Sequence, residues 1–300
     1  SDTEVEYPFL QELSADLMQA LTACGWECKI VRPPIHKKLY NSIFGRGLPP
    51  VAPSHRKRLR WCTQATKVGP MADWAKGFNP DYLTLTGVRW GESDNRDGKL
   101  SASGCTAGGE CGLPSPGENR YAPIITWKTC QVVEWLQGKV GAGTIDDLLP
   151  LTKRLLDVYD VKMVAQGWGS PKIATLRFGC IACPAVESDK VLKSKRALED
   201  PAYRPLRRIY YIWHRARDNR NRLCKVDAEG KTFFGPIKMA VRKTLFAEFL
   251  AIQKETGIEL VTKKDIAFIR RCWKTDVYPR GWKASDENNK PPMPKLWNAV

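Results

Sequence analysis

Leu10, Leu13, Leu17, Ala20 and Leu21 recur at helical spacing, so the alternation of apolar and polar positions predicts an amphipathic helix over 10–23. The short apolar run Cys28-Lys29-Ile30-Val31 follows as a strand. Helix then strand is the signature of a parallel α/β sheet. Asp2-Thr3-Glu4-Val5-Glu6-Tyr7-Pro8, with no strand before it, reads as the end of a buried strand entering a loop, so the fold is expected to begin partway through. Cys62 to Met71 opens a helix that carries Lys67. Asp81 to Val88 is a strand running straight into Arg89-Trp90-Gly91-Glu92-Ser93 and Arg96. Tyr121 to Trp127 is a further buried strand, and Thr129 to Leu136 a helix capped by Thr129 with Cys130 packed inside. Residues 145–166 read as helical, with Lys153 and Arg154 on the wet face.

Later in the chain, Val241, Leu245, Phe249 and Ile252 line one side of a helix over Ile237 to Gln253. Ile266, Ile269 and Trp273 mark another short helix, and the polar, Pro-rich tail after Lys283 reads as extended. Charge changes this picture. Residues 190–300 hold 26 Lys and Arg against 12 Asp and Glu, a surplus of 14 within a net charge of +16. That asymmetry suggests a polyanion partner for the last third, with a basic solvated surface as the alternative. Arg204, Arg207, Arg208, Arg215, Arg217, Arg220 and Arg222 interleave with Tyr210, Tyr211 and Trp213. Arginines neutralise phosphates while aromatic rings stack on bases. The competing reading is a core helix with aromatic packing and a basic outer face. Lys238, Arg242 and Lys243 near a helix start oppose its dipole, as expected if they serve a partner. The chain has 300 residues and no apolar run near membrane-spanning length, so a soluble, cytoplasmic protein is expected, without a membrane partner.

Ten cysteines in a chain this long suit reduced thiols and a few metal ligands better than a disulfide framework. Gly179-Cys180-Ile181-Ala182-Cys183 sets two thiols on one side of a tight loop, as zinc sites, iron–sulfur sites and redox pairs require. One such pair cannot close a four-ligand site. Cys105 and Cys111 flank a Gly-rich turn, which makes them candidates to join it, while Cys62 opens a helix, where a thiolate is stabilised. Four thiolates suit zinc or a four-iron, four-sulfur cluster equally.

Taken together, Asp2 to Pro8, Arg60-Trp61-Cys62-Thr63, Gly87-Val88-Arg89-Trp90-Gly91-Glu92-Ser93, Ala122-Pro123-Ile124 with Trp127, and Gly179 to Cys183 resemble the phosphoadenosine phosphosulfate reductase superfamily. Within it the chain is most similar to DndC-type sulfur-transfer proteins of DNA phosphorothioation. The resemblance implies an α/β fold: a parallel sheet of the adenine nucleotide alpha hydrolase-like type, N-terminally incomplete, over residues 1–195, and a basic helical C-terminal region over 196–300. It implies a 4Fe-4S cluster, with zinc as the alternative, on Cys62, Cys180, Cys183 and one of Cys105 and Cys111. ATP or a related nucleotide would meet Asp2, Thr3, Arg89, Gly91, Glu92, Ser93 and Arg96, with Cys62 and Glu92 as the catalytic pair. DNA or another nucleic acid would be the acceptor, a cysteine desulfurase the sulfur donor, and other subunits of a modification or antiviral defence complex the partners. The family's Ser-Gly-Gly-x-Asp-Ser type phosphate loop is absent from this sequence, and without it the nucleotide site is incomplete. Two other functions stay open: a catalytically altered, CysH-like nucleic-acid-binding subunit of a defence or CRISPR-type complex, and a small-molecule sulfonucleotide reductase.

Overall fold

The computed structural model describes residues 2–52, 60–78, 83–91, 94–102, 120–138, 148–159, 162–164, 172–174, 179–186, 191–192, 200–279 and 281–289. The chain divides into two compact units. One comprises Ser1–Gln11, Lys29–Asp73 and Phe178–Val300, and the other Glu12–Cys28 and Trp74–Arg177. The boundary expected at residue 195 lies outside the described residues.

The first unit is built on a buried helical turn. Asn41–Gly45 forms one π-helical turn, all five residues of which are buried. Tyr40 and Phe44 pack their rings against Trp213 of α7 (Ile209–Arg217) and Phe249 of α8 (Met239–Thr256). Ring centroids lie 4.7 Å apart for Tyr40–Phe249, 5.0 Å for Phe44–Phe249 and 6.0 Å for Phe44–Trp213. A wide π turn leaves carbonyls in need of partners once they are out of water. Side chains meet that need here: Trp273 of α9 (Lys263–Thr275) donates to the Phe44 carbonyl at 2.8 Å, and Arg242 donates to the Gly45 carbonyl at 2.8 Å. Arg242 also donates to the Val277 carbonyl at 2.7 Å. Gly47 passes so close that an added Cβ would stand 3.0 Å from the Arg242 Nε, and its φ of +75° also favours glycine. The cation expected to serve a partner is therefore almost fully buried and structural, because only a five-donor guanidinium reaches both carbonyls.

All six expected helices are present in whole or part. α1 runs Pro8–Ala23, with proline at its first position and Gly25 (φ +89°) just past its end. α2 (Trp61–Thr63) passes through a π turn, Gln64–Val68, into α3 (Gly69–Ala75). α8 buries Leu245, Phe249 and Ile252 as the periodicity requires. α9 starts at a reciprocal cap: Thr262 and Asp265 bond each other's backbone N–H at 3.2 and 3.1 Å. The last third is not wholly helical. β5 (Arg222–Val226) and β6 (Thr232–Ile237) form an antiparallel hairpin closed by a turn at Asp227 to Gly230. The tail after Lys283 is not extended at first, since Ala284–Glu287 is a 3-10 turn.

In the second unit, β1 (Thr84–Leu85) pairs in parallel with β2 (Arg120–Tyr121). α4 (Asp94–Ala102), α5 (Thr129–Leu136) and α6 (Leu149–Val158) accompany it. β3 (Lys162–Val164) and β4 (Lys172–Ala174) form a separate antiparallel ladder. Lys153 and Arg154 are exposed, as expected for the wet face, and Arg154 pairs with Asp16 of α1 and lies 3.8 Å from Glu12. The cap of α5 is Lys128, not Thr129: its N–H bonds the Gln131 side chain at 2.7 Å, and Cys130 is only half-buried.

The protein thus mixes helix and strand, but no extended parallel sheet forms among the described residues. Cys28 to Val31 is coil because it has no burial to drive pairing: Ile30 is 42% exposed, and two prolines follow. Only Val31 bonds forward, its carbonyl accepting from the Asp2 N–H at 3.0 Å. Tyr121 to Trp127 turns directly after Tyr121, with Ile125 and Trp127 bonding back three residues, so that apolar run is not a strand. No helix among the described residues is long and apolar enough to cross a membrane.

Asp265 joins the cap to the core. Its carboxylate accepts from Asn41 Nδ2 at 2.7 Å and lies 3.3 Å from Lys38 Nζ, which also meets Glu4 at 2.9 Å. Burial works to raise the Asp265 pKa, but the bonds from Thr262 and Asn41 and the Lys38 charge outweigh it, so the net shift is downward. A carboxylate depressed in the fold stabilises above its unfolded value near ~3.9 and loses that contribution as pH falls through the lower folded value. Asp265→Asn is therefore expected to cost about 2 kcal/mol at neutral pH and to flatten the stability curve below about pH 4. Urea midpoints across pH check this; a variant with an unchanged acid limb contradicts it.

Candidate functional site

The C-x-x-C loop belongs to the first unit and is held from three directions. The Ile181 N–H donates to the Val5 carbonyl at 2.7 Å, joining the loop to the Asp2–Pro8 segment. Trp213 Nε1 donates to the Ala182 carbonyl at 2.7 Å, and one turn further along α7 Arg217 donates to the Pro184 carbonyl at 2.6 Å. Ala182 is fully buried at φ +45°, a left-handed conformation that costs a non-glycine residue energy. These bonds hold that strained reversal, and the reversal brings the Cys180 and Cys183 thiols into hydrogen-bond contact.

Cys62, in the first turn of its helix, lies within electrostatic range of this pair. Burial, followed by the charge of Cys183, raises its pKa. The Cys183 hydrogen bond, then burial and the charges of Cys183, Glu6 and Cys62, push Cys180 well up. The three thiols are therefore near enough to oppose one another's ionisation, a situation a bound cation would relieve with release of protons. All three are half-buried. Among the described residues, no group of three or more His, Cys, Asp or Glu is already gathered as a metal cage.

Around them the surroundings are mixed. Tyr40 is buried: burial first, then Cys180, Cys183 and Glu6, raise its pKa, and among the described residues its hydroxyl has no hydrogen-bond partner. Burial lowers the Arg217 pKa, with Cys183 acting in the opposite direction, and its Nε is likewise without a partner. Glu6 is tied into the Asp2–Pro8 loop, accepting from the Thr3 N–H at 3.1 Å, the Thr3 hydroxyl at 2.5 Å and the Val5 N–H at 3.1 Å. An open basin of about 500 Å³ at the end of α7 is lined by His214, Arg215, Arg217, Asp218 and Asn219.

The residues present suit a thiolate-bound metal or cluster. The donors are soft sulfur atoms, and the orphaned Tyr40 hydroxyl is the kind of buried donor that a thiolate or sulfide would satisfy. Cys105 and Cys111, the candidates for a fourth ligand, lie outside the described residues, as do Glu92 and Ser93. The nucleotide residues divide between the units. Asp2 and Thr3 stand in the first. There Asp2 pairs with Arg32 at 2.9 Å and accepts from the Glu4 N–H at 2.7 Å, while Thr3 is buried on Glu6. Arg89 and Gly91 stand in the second unit. Arg89 reaches the Thr129 hydroxyl at 3.4 Å, and the Gly91 N–H donates to Asp97 at 3.1 Å. Arg96 contributes backbone to α4.

The seven arginines are mostly engaged. Arg222 donates to the Gly235 and Phe234 carbonyls, and Arg217 holds the C-x-x-C loop. Arg208 pairs with Glu255, Arg215 with Glu248 and Arg220 with Asp218. Arg207 donates to the Leu192 carbonyl, while Arg204 is exposed. Of the aromatics, Trp213 is core and only Tyr211 is largely exposed, at 71%. The core-helix reading of this run describes α7. Tyr40, Glu6 and the supporting roles of Trp213 and Arg217 were not anticipated. The four-residue spacing of Trp213 and Arg217 was the available signal, since it sets both on one helix face.

No family model, curated protein or solved structure matches the chain.

Proposed function

We propose that this protein is a thiolate-bound iron–sulfur protein, similar to the phosphoadenosine phosphosulfate reductase superfamily and its DndC-type members, that transfers sulfur to a nucleic-acid backbone. The observation that carries the reading is the Cys180–Cys183 pair on its fixed loop, with Cys62, far away in sequence, close enough for its charge to be felt by Cys180. Cys62, Cys180 and Cys183 would hold the group, with Cys105 or Cys111 as fourth ligand. Bound there, the cluster would supply redox or sulfur-carrying capacity that side chains lack. The protein's own part is to fix the loop through Trp213, Arg217 and Val5 and to keep the sulfurs half shielded from water. A parallel nucleotide-binding sheet belongs to the same proposal, and the β1–β2 pair is compatible with its edge.

A second reading has support of its own. Asp2 is committed to Arg32 and Thr3 to Glu6, which leaves these two residues poorly placed to receive a nucleotide. That favours a non-catalytic, CysH-like nucleic-acid-binding subunit that keeps the metal centre for shape.

Anaerobic purification with iron, sulfide and zinc analysis tests the first reading. Brown protein is expected, losing iron in Cys62→Ala, Cys180→Ala and Cys183→Ala and keeping it in Cys272→Ala. Colourless protein with one zinc would replace the cluster with a structural site. Protein that binds neither metal would remove the centre altogether. ATP turnover dependent on Cys180 would exclude the second reading.

A further inference from the structure

The exposed face of α9 differs from every other basic segment described. Lys263, Lys264, Arg270, Arg271 and Lys274 are all exposed and recur at helical spacing, while Asp265, Phe268, Ile269 and Cys272 face the core. Among the described residues none of the five cations has an ion-pair partner; Arg271 merely lies over the Phe268 ring, at 5.2 Å. The arginines of α7 and its flanks, by contrast, are largely neutralised or spent on carbonyls. The acid nearest along the chain, Asp265, is buried on Asn41 and Lys38; the next are Glu259, before the helix, and Asp276 at its C-cap, which lies 3.8 Å from Arg46. Lys263 and Lys264 occupy the first helical turn, where positive charge opposes the helix dipole and costs stability. Folding alone gives no reason to put them there.

We propose that the outer face of α9 is a phosphodiester-binding surface that lies along one strand of a nucleic-acid duplex. From Lys263 to Lys274 the helix rises about 16 Å, enough for its cations to meet successive phosphates of one strand. The face carries no exposed large apolar side chain, so it has no wedge for a lipid bilayer and no anchor for a protein hot spot. It also presents no largely exposed aromatic ring on which an unpaired base could stack, which favours duplex backbone over single strands. Binding is therefore insensitive to sequence and steeply sensitive to salt. This inference rests on the proposed nucleic-acid partner but moves its surface from the predicted arginines to a different helix.

Fluorescence anisotropy of the full chain with a labelled mixed-sequence DNA duplex, across a salt series, tests it. The variant K263Q/K264Q/R270Q/R271Q/K274Q is expected to bind about 100-fold more weakly at low salt, with its log–log salt slope reduced by about four. The variant R204Q/R208Q/R215Q/R220Q should stay within about threefold of the parent. If the fivefold variant does not fold, K263Q/K264Q and R270Q/R271Q should each reduce the slope by about two. Binding unchanged in the α9 variants, or lost in the arginine variant, would overturn the surface and leave the proposed function standing. A parent protein that binds acidic lipid vesicles but no duplex would overturn both.

Discussion

Trp213→Ala is expected to cost about 3–5 kcal/mol, because the indole is fully buried and stands beside Tyr40, Phe44 and Phe249. That is a large part of the roughly 5–15 kcal/mol that holds a domain together. The loss is not only volume. The indole N–H satisfies the Ala182 carbonyl, and that carbonyl belongs to the left-handed residue on which the Cys180–Cys183 contact depends. Trp213→Phe separates the two effects: it keeps most of the ring and removes the donor, for about 1–3 kcal/mol. Urea midpoints give the stabilities. Thiol labelling of the metal-free protein reads the loop, and Cys180 and Cys183 should label faster in Trp213→Phe than in the parent. Equal labelling would mean that the indole bond does not hold the loop.

The second large effect concerns Arg242. Truncation to alanine strands the carbonyls of Gly45 and Val277 and opens a cavity beside Gly47, for about 3–5 kcal/mol. Arg242→Lys should recover little, since one ammonium cannot bond two carbonyls facing a planar fork. The charge-for-a-partner reading of this residue expects no stability change without ligand. Denaturation of the free protein therefore decides between the two, and an unchanged midpoint would return Arg242 to the surface.

Arg242 also shows where the sequence could be read and where it could not. Periodicity located α1, α8 and α9 because their burial patterns are local and regular. The same periodicity puts Arg242 on the inner face of α8, one turn before Leu245 and Phe246, yet the residue type argued for the surface. What reversed that argument was a π turn two hundred residues earlier, whose carbonyls no sequence window contains. The strands failed for a related reason. Cys28 to Val31 and Tyr121 to Trp127 have strand-like composition, but pairing depends on a neighbour, and the one available bond partner of Val31 is Asp2. The Cys180–Cys183 pair was legible through its two-residue spacing, whereas Cys62 entered as a ligand only through the family resemblance. The supports of the pair were not legible, because Tyr40 and Val5 carry no mark of a role until the chain is folded.

The first unit is assembled from stretches that leave the ribosome far apart in time. The Phe44 carbonyl waits for Trp273, 229 residues later, and Gly45 for Arg242, 197 residues later. At ordinary translation rates those delays are roughly 10–45 s. Throughout that interval Leu39, Tyr40, Ile43 and Phe44 have no core to enter. The emerging polypeptide therefore presents a sticky apolar turn until its last helices arrive, which makes it a natural client for chaperones during its own synthesis.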